Sequence, residues 1–91
     1  MSVTVRIPSP LRTLTGGAAR IEVDAQDVRG VVAVLEAQYP GFGERLLDEA
    51  GGLRRFVNVF VRDEDVRLLG GLDAPVAEGD TISIVPAVAG G

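Results

Sequence analysis

The sequence contains no cysteine, no histidine and no lysine, and each absence removes a class of function. Without cysteine and histidine there are no thiol nucleophiles, no disulfides, none of the usual zinc ligands and no general base of the commonest type at neutral pH. We therefore expect no catalysis by the chain's own side chains and no bound metal. All nine basic residues are arginine, so the chain offers no lysine to which a copy of itself could be joined.

Long apolar runs and an excess of positive charge are also missing. The longest apolar runs, such as residues 56–61, are too short to span a membrane, and the N-terminus has neither the basic start nor the apolar block of a signal peptide. A net charge of −4 argues against nucleic-acid binding, which needs a clustered positive surface. We expect a cytoplasmic protein that binds neither membranes nor nucleic acids and whose partners present basic surfaces.

The composition is that of one folded domain. The chain has 91 residues, of which 46% are hydrophobic and 24% charged, so it has material for a single core. Alternation of apolar and polar residues predicts a first strand over residues 3–7 and a second over residues 19–23. We expect the long connection between them to cover one end of the core with Leu11 and Leu14.

The spacing of the apolar residues then changes to that of a helix. Asp27 is a good N-cap and Pro40 ends the pattern, so we expect about three turns of helix between them. A short helical turn over residues 42–48 follows. The apolar positions of the main helix are Val28, Val31, Val32, Leu35 and Tyr39.

The last third of the chain predicts three further strands. Residues 56–61 alternate as a third strand, the acidic residues 63–65 make a turn into a short fourth strand around 66–68, and residues 81–85 form the fifth. Pro86 ends the last strand because it lacks the amide hydrogen that a sheet needs. Since helix and strands are segregated along the chain, the sequence predicts an α+β fold with one main helix packed across a mixed sheet.

Two phenylalanines of the third strand point away from the predicted core. The valines of this strand already supply its helix-facing side, so Phe56 and Phe60 are expected on the opposite, exposed face. Together with Val85, and bordered by Arg6, they predict an apolar surface to which a partner docks. The alternative, that a loop or a second copy of the chain covers them, is equally open.

The chain combines a V-x-V-x-I opening, a helix ending in Tyr39-Pro40, F-V-N-V-F-V at 56–61, an E-G-D turn at 78–80 and the ending I-x-I-V-P-A-V-A-G-G. This combination covers essentially the whole chain and resembles the ubiquitin-fold sulfur carriers of the ThiS/MoaD superfamily. The resemblance implies a β-grasp domain over residues 1–86 and a flexible C-terminal Gly-Gly tail over residues 87–91. A Gly-Gly end alone is a weak motif, but with this order of elements it is strong.

The resemblance also implies a chemical role for Gly91. Its terminal carboxylate is presented to a partner E1-like adenylyltransferase and sulfurtransferase, which uses ATP and magnesium to form an acyl-adenylate, and sulfur then displaces AMP to leave a thiocarboxylate. The resemblance further implies that the chain itself binds no cofactor and is not an enzyme. Beyond Pro86 the tail reaches at most roughly 16 Å, and its glycines pass through a narrow channel because they lack Cβ atoms. The other tail residues needed in that channel are Ala87, Val88, Ala89 and Gly90.

The F-V-N-V-F-V-R-D-E-D-V-R stretch and the P-A-V-A-G-G ending most resemble the carriers that supply sulfur for cysteine synthesis. This implies a pyridoxal-phosphate (PLP)-dependent cysteine synthase as acceptor and a metallopeptidase that releases cysteine from the carrier. Carriers for molybdopterin or thiamin thiazole synthesis look almost the same and remain alternatives. Two other classes also remain open: a ubiquitin-like modifier joined through Gly91 to lysines of other proteins, and a binding module in which the Gly-Gly end has no role.

Overall fold

A computed structural model describes residues 1–86, in which five strands form one mixed sheet. The strands lie side by side in the order β2-β1-β5-β3-β4. β1 and β5 are parallel neighbours, whereas the other neighbouring pairs are antiparallel, so the sheet is mixed as the sequence predicts. The strands are β1 (Ser2–Arg6), β2 (Arg20–Asp24), β3 (Val57–Val61), β4 (Glu64–Asp65) and β5 (Thr81–Pro86).

Helices lie in every connection between consecutive strands except the tight turn from β3 to β4. The main helix, α1, runs from Val28 to Gln38, and the short helix α2 follows as Phe42–Leu46, both as predicted. The Asp27 side chain accepts a hydrogen bond from the Gly30 amide at 2.7 Å, which confirms Asp27 as the N-cap of α1. The described residues also contain 3-10 helices at Ser9–Thr15, Val66–Leu68 and Gly71–Asp73.

The hydrophobic core lies between α1 and one face of the sheet. Ile82 of β5 and Leu35 of α1 belong to the same buried cluster, together with Phe42 of α2, which is fully buried. The first 3-10 helix contributes Leu11 as a buried residue and packs Leu14 partly against the cluster. This connection therefore closes one end of the core, as expected from the sequence.

The predicted fourth strand around residues 66–68 is wrong. β4 is Glu64–Asp65, and residues 66–68 form a 3-10 helix instead. The cause is the tight turn after β3, in which only Arg62 and Asp63 separate the two strands, at positive φ angles of 51° and 70°. Asparagine and glycine are the usual residues at such positions, so no standard hairpin signal marks this turn.

The C-terminal end of the described chain lies within the sheet. Pro86 is paired with Val57, the first residue of β3, so β3 begins one residue later than predicted and Phe56 lies in the turn before it. The tail predicted over residues 87–91 lies outside the described residues. Within residues 1–86, no helix has the length and apolar character needed to cross a membrane.

Candidate functional site

A row of five side chains crosses the outer face of the sheet, which is the face opposite α1. The strand registers place Arg20 of β2, Arg6 of β1, Ser83 of β5, Phe60 of β3 and Asp65 of β4 side by side. Side chains alternate between the two faces of a strand, and the residues flanking this row in β1, β3 and β5 are buried in the core. The row therefore runs across the outer face from two arginines, through a serine and a phenylalanine, to a carboxylate.

Part of this face forms an open groove of about 660 Å³, called the outer groove here. Three of the four residues predicted for partner docking line it, namely Arg6, Phe60 and Val85. Phe60 is half-buried, Arg6 is exposed, and the Val85 side chain is 46% exposed. Because Val85 is close to the end of β5, the outer groove lies beside the point from which the chain continues into residues 87–91.

Phe56, the fourth predicted docking residue, does not line the outer groove. It precedes β3, is 52% exposed, and has the Arg55 guanidinium 5.6 Å from its ring centroid, a cation–π distance. The prediction that Phe56 and Phe60 share one strand face is wrong because β3 begins at Val57. Since Val57 pairs with Pro86, Phe56 nevertheless lies close to the end of β5.

A buried carboxylate fixes the turn that leads into β5. Asp80 is only 8% exposed, and its side chain accepts hydrogen bonds from the Ala77 amide at 2.7 Å and from the Arg62 guanidinium. The bond from Ala77, with a further contribution from Arg62, lowers the pKa of Asp80 below its ordinary value. The Asp80 carbonyl accepts from the Thr4 amide at 2.9 Å, which ties this turn to β1.

Sequence reasoning treated residues 78–80 as a turn and missed this anchor. The partner, Arg62, is 18 residues away and lies in a hairpin that no turn motif announces. An aspartate directly before a strand was the available signal, but it does not identify the arginine that neutralises it.

Of the acidic residues 63–65, Asp65 stabilises local structure. Asp65 accepts a hydrogen bond from the Arg67 amide at 2.9 Å and so caps the 3-10 helix that follows β4. Arg67 in turn donates to the Asn58 side chain at 3.1 Å, which accounts for Asn58 at the surface of the sheet. In the described part of the chain, no group of three acidic, histidine or cysteine side chains is placed to hold a metal ion.

The residues predicted to enter a partner's channel, and the carboxylate predicted to react, lie outside the described residues. Their roles therefore stay predictions. The described chain ends just before them, at Val85 and Pro86 of β5. These residues are Ala87, Val88, Ala89, Gly90 and Gly91.

The strand order β2-β1-β5-β3-β4, with α1 packed across one face, defines the class of the protein as a β-grasp, ubiquitin-like domain, in agreement with the sequence resemblance. A comparison with family models identifies the family within that class. The ThiS family model matches residues 5–91, and the chain belongs to the ThiS family.

Individual relatives agree with this family over their whole length. The chain is 50% identical over 93 residues to the sulfur carrier protein CysO of Mycobacterium tuberculosis, with 100% of both chains covered. It also matches a chain in the crystal structure of the Amycolatopsis orientalis BexX/CysO complex, with 49% identity, a TM-score of 0.92, and 98% of this chain and 99% of that chain covered. The small archaeal modifier protein 3 of Haloferax volcanii is 33% identical over 94 residues, again with 100% of both covered. The likeness to CysO supports a sulfur-carrier role.

Proposed function

We propose that this chain carries sulfur as a thiocarboxylate on Gly91. The observation that carries the proposal is the family match, which runs to residue 91 and so includes the Gly90-Gly91 pair, together with full-length similarity to the carrier CysO. The fold adds support, because Asp80 anchors the start of β5 and Val57 pairs with its last residue. The central strand β5 therefore ends at a fixed position beside the outer groove.

The chemistry needs only the Gly91 carboxylate from this chain. One carboxylate oxygen attacks the α-phosphorus of ATP held by the partner adenylyltransferase, and magnesium-bound pyrophosphate leaves. A sulfide equivalent from the sulfur donor then attacks the acyl carbon, the bond to AMP breaks, and the thiocarboxylate remains. Glycine suits this position because a side chain would crowd the acyl carbon that both nucleophile and leaving group must reach.

The proposed acceptor is an aminoacrylate held on PLP by a cysteine synthase. The thiocarboxylate sulfur adds to the aminoacrylate β-carbon, and the synthase releases the thioester product with its amino group free. That nitrogen then attacks the Gly91 acyl carbon as the bond to sulfur breaks, which gives cysteine joined to Gly91 through a peptide bond that a metallopeptidase hydrolyses. CysO similarity favours this acceptor over a molybdopterin precursor or the thiamin thiazole. The BexX/CysO complex of A. orientalis further supports action through a protein partner. The chain is thus a protein cosubstrate, and its partners supply the catalysis.

Two mass measurements test this function. The first is intact-mass analysis of the chain purified from its native host, in which we expect one terminal oxygen of Gly91 to be replaced by sulfur. The second incubates the thiocarboxylate form with O-phosphoserine and the host's PLP-dependent cysteine synthase, and we expect a cysteinyl adduct on Gly91. A reaction with the carboxylate form is the control and should give no adduct. Sulfur that reaches only a pterin or a thiazole would overturn the assignment to cysteine synthesis.

The similarity to a small archaeal modifier protein favours one second candidate, a ubiquitin-like modifier. In that case Gly91 would form isopeptide bonds with lysines of other proteins, and the absence of lysine from this chain would limit it to single attachments. Expression of an N-terminally tagged copy in the native host separates the two functions. Covalent conjugates on a denaturing gel support a modifier, whereas only the free chain and its thiocarboxylate support a carrier.

A further inference from the structure

The outer groove has a basic end that the sulfur-carrier chemistry does not use. Arg6 and Arg20 are directly opposite each other on β1 and β2, and both are exposed. Like charges at opposed positions destabilise an antiparallel strand pair, so the arrangement does not help the fold. Arg12, from the 3-10 helix after β1, lines the same groove and adds a third guanidinium.

Arg12 is held in position by the backbone. Its Nε donates a hydrogen bond to the Ile7 carbonyl at 3.0 Å, and the side chain is half-buried. This bond fixes the plane of the guanidinium and leaves its two terminal nitrogens for another acceptor. An acceptor that binds there has less side-chain entropy to overcome than at a freely moving arginine.

The three groove arginines form no ion pair within residues 1–86. The ion pairs of this part of the chain involve the N-terminal amine, Arg29, Arg62 and Arg67. Among residues 1–86, Asp63 is the one carboxylate that lines the outer groove, against three arginines. Because the whole chain has a net charge of −4, the groove is a positive site on an otherwise acidic protein.

We propose that the basic end of the outer groove binds a segment of the partner adenylyltransferase that is rich in aspartate or glutamate. The identity of this partner rests on the proposed function. Guanidinium groups pair with carboxylates through parallel hydrogen bonds, which suits a site made of three arginines. Phe60 and Val85 lie in the same groove, so the segment that fits also carries an apolar side chain beside its acidic ones.

This assignment reverses an expectation from composition. A net negative charge favours basic partner surfaces, but a partner contacts a local surface, and the local surface next to the end of β5 is positive. Other occupants fit the charges less well. Nucleic acid would be repelled by the rest of the chain, and a second copy docked face to face would bring the Arg6–Arg20 rows together.

Binding of the full-length chain to its host adenylyltransferase tests the proposal. Calorimetric titrations at low and high salt compare wild type with a double variant, Arg6→Gln with Arg20→Gln. The matched control is Arg45→Gln with Arg54→Gln, which removes the same charge from exposed arginines that do not line the groove. We expect the groove variant to raise Kd roughly tenfold or more at low salt and to lose most of the salt dependence, while the control changes little. Arg6→Lys with Arg20→Lys should recover part of the affinity.

Kinetics separate this inference from the proposed function. In ATP–pyrophosphate exchange, the groove variant should raise KM for the carrier and leave kcat unchanged. If wild type supports exchange but the groove variant and the control variant have the same KM, the groove assignment is refuted and the proposed function stands. If wild type binds the enzyme but supports no exchange, the adenylation proposal fails. The calorimetric titrations then still show whether the enzyme binds at the groove arginines. The proposal would also be overturned if wild type sedimented as a dimer and the groove variant as a monomer, because the chain would then dimerise through this face.

Discussion

Arg62 and Asp80 join the turn between β3 and β4 to the turn that precedes β5. The Arg62 guanidinium donates to the same Asp80 oxygen that accepts from the Ala77 amide. Arg62 is 53% exposed, whereas Asp80 is 8% exposed, so water solvates only the arginine side of the pair. Because Asp80 directly precedes β5, this contact ties the hairpin of β3 and β4 to the start of β5.

We expect Asp80→Asn to lower the free energy of unfolding by about 1–3 kcal/mol, because a buried hydrogen-bonded charge is replaced by a neutral group with weaker bonds. Urea denaturation at pH 7 measures the difference. The matched control is Asp73→Asn, which breaks an exposed ion pair with Arg29 at 3.1 Å and should cost about 0–1 kcal/mol. Equal losses in the two variants would contradict the anchoring role of Asp80.

The lowered pKa of Asp80 predicts how this stabilisation depends on pH. A carboxyl group with a lower pKa in the folded state stabilises the fold fully above its unfolded-state pKa, about 4, and loses that effect as the pH falls through the folded-state pKa. The stability difference between wild type and Asp80→Asn should therefore be constant from about pH 5 to 7 and shrink at lower pH. Urea titrations over this range measure it, and a difference that stays the same near pH 2 would show that protonation of Asp80 is not involved.

The N-cap of α1 gives a third prediction. Asp27→Ala removes the 2.7 Å acceptor of the Gly30 amide and should cost about 0.5–2 kcal/mol of unfolding free energy. Asp27→Asn keeps an acceptor at the same place and should restore most of the loss. Thermal unfolding of the three proteins checks this order. An asparagine variant as unstable as the alanine variant would mean that charge, and not capping, is the important property.

The helix and most strands were predicted correctly because each has a regular spacing of apolar residues along the chain. The change from two-residue to helical spacing gave α1 between Asp27 and Pro40, and the alternation in residues 81–85 gave the inward Ile82 and Ile84 of β5. These signals depend only on neighbours in the chain. The β-grasp order of the strands came from the resemblance to a family, because periodicity carries no information about which strands are adjacent.

The parts that were missed depend on an unusual turn or on the pairing of residues far apart in the chain. β4 begins after a two-residue turn that lacks glycine and asparagine, so its position could not be inferred from turn chemistry. The opposition of Arg6 and Arg20 follows from the register of β1 and β2, and no pattern within either strand encodes it. In the same way, four docking residues were predicted to form one surface. Arg6, Phe60 and Val85 do line one groove, but the position of Phe56 depends on the exact start of β3.

The apolar part of the outer groove gives a fourth prediction. Phe60→Asp should leave the fold intact, since Phe60 is half-buried on the outer face, and should weaken binding to the adenylyltransferase roughly tenfold or more. Leu68→Asp is the matched control, because Leu68 is 82% exposed and does not line the groove. Circular dichroism checks folding and calorimetry measures Kd. An unfolded Phe60 variant, or equal Kd values for the two variants, would count against docking at this surface.

The last prediction concerns the reactive end. One alanine added after Gly91 moves the carboxylate by about 3.3 Å and places a Cβ next to the acyl carbon, so ATP–pyrophosphate exchange with the adenylyltransferase should be lost. Binding to the enzyme should remain within about threefold of wild type, because the outer groove is unchanged and most contacts outside a hot spot contribute little. Glu49→Ala, an exposed change beyond α2, serves as the control and should retain both binding and exchange. If the extended chain is still adenylated, the partner does not read the position of the Gly91 carboxylate. If wild type binds the enzyme but is not adenylated either, a binding module becomes the better description of this protein.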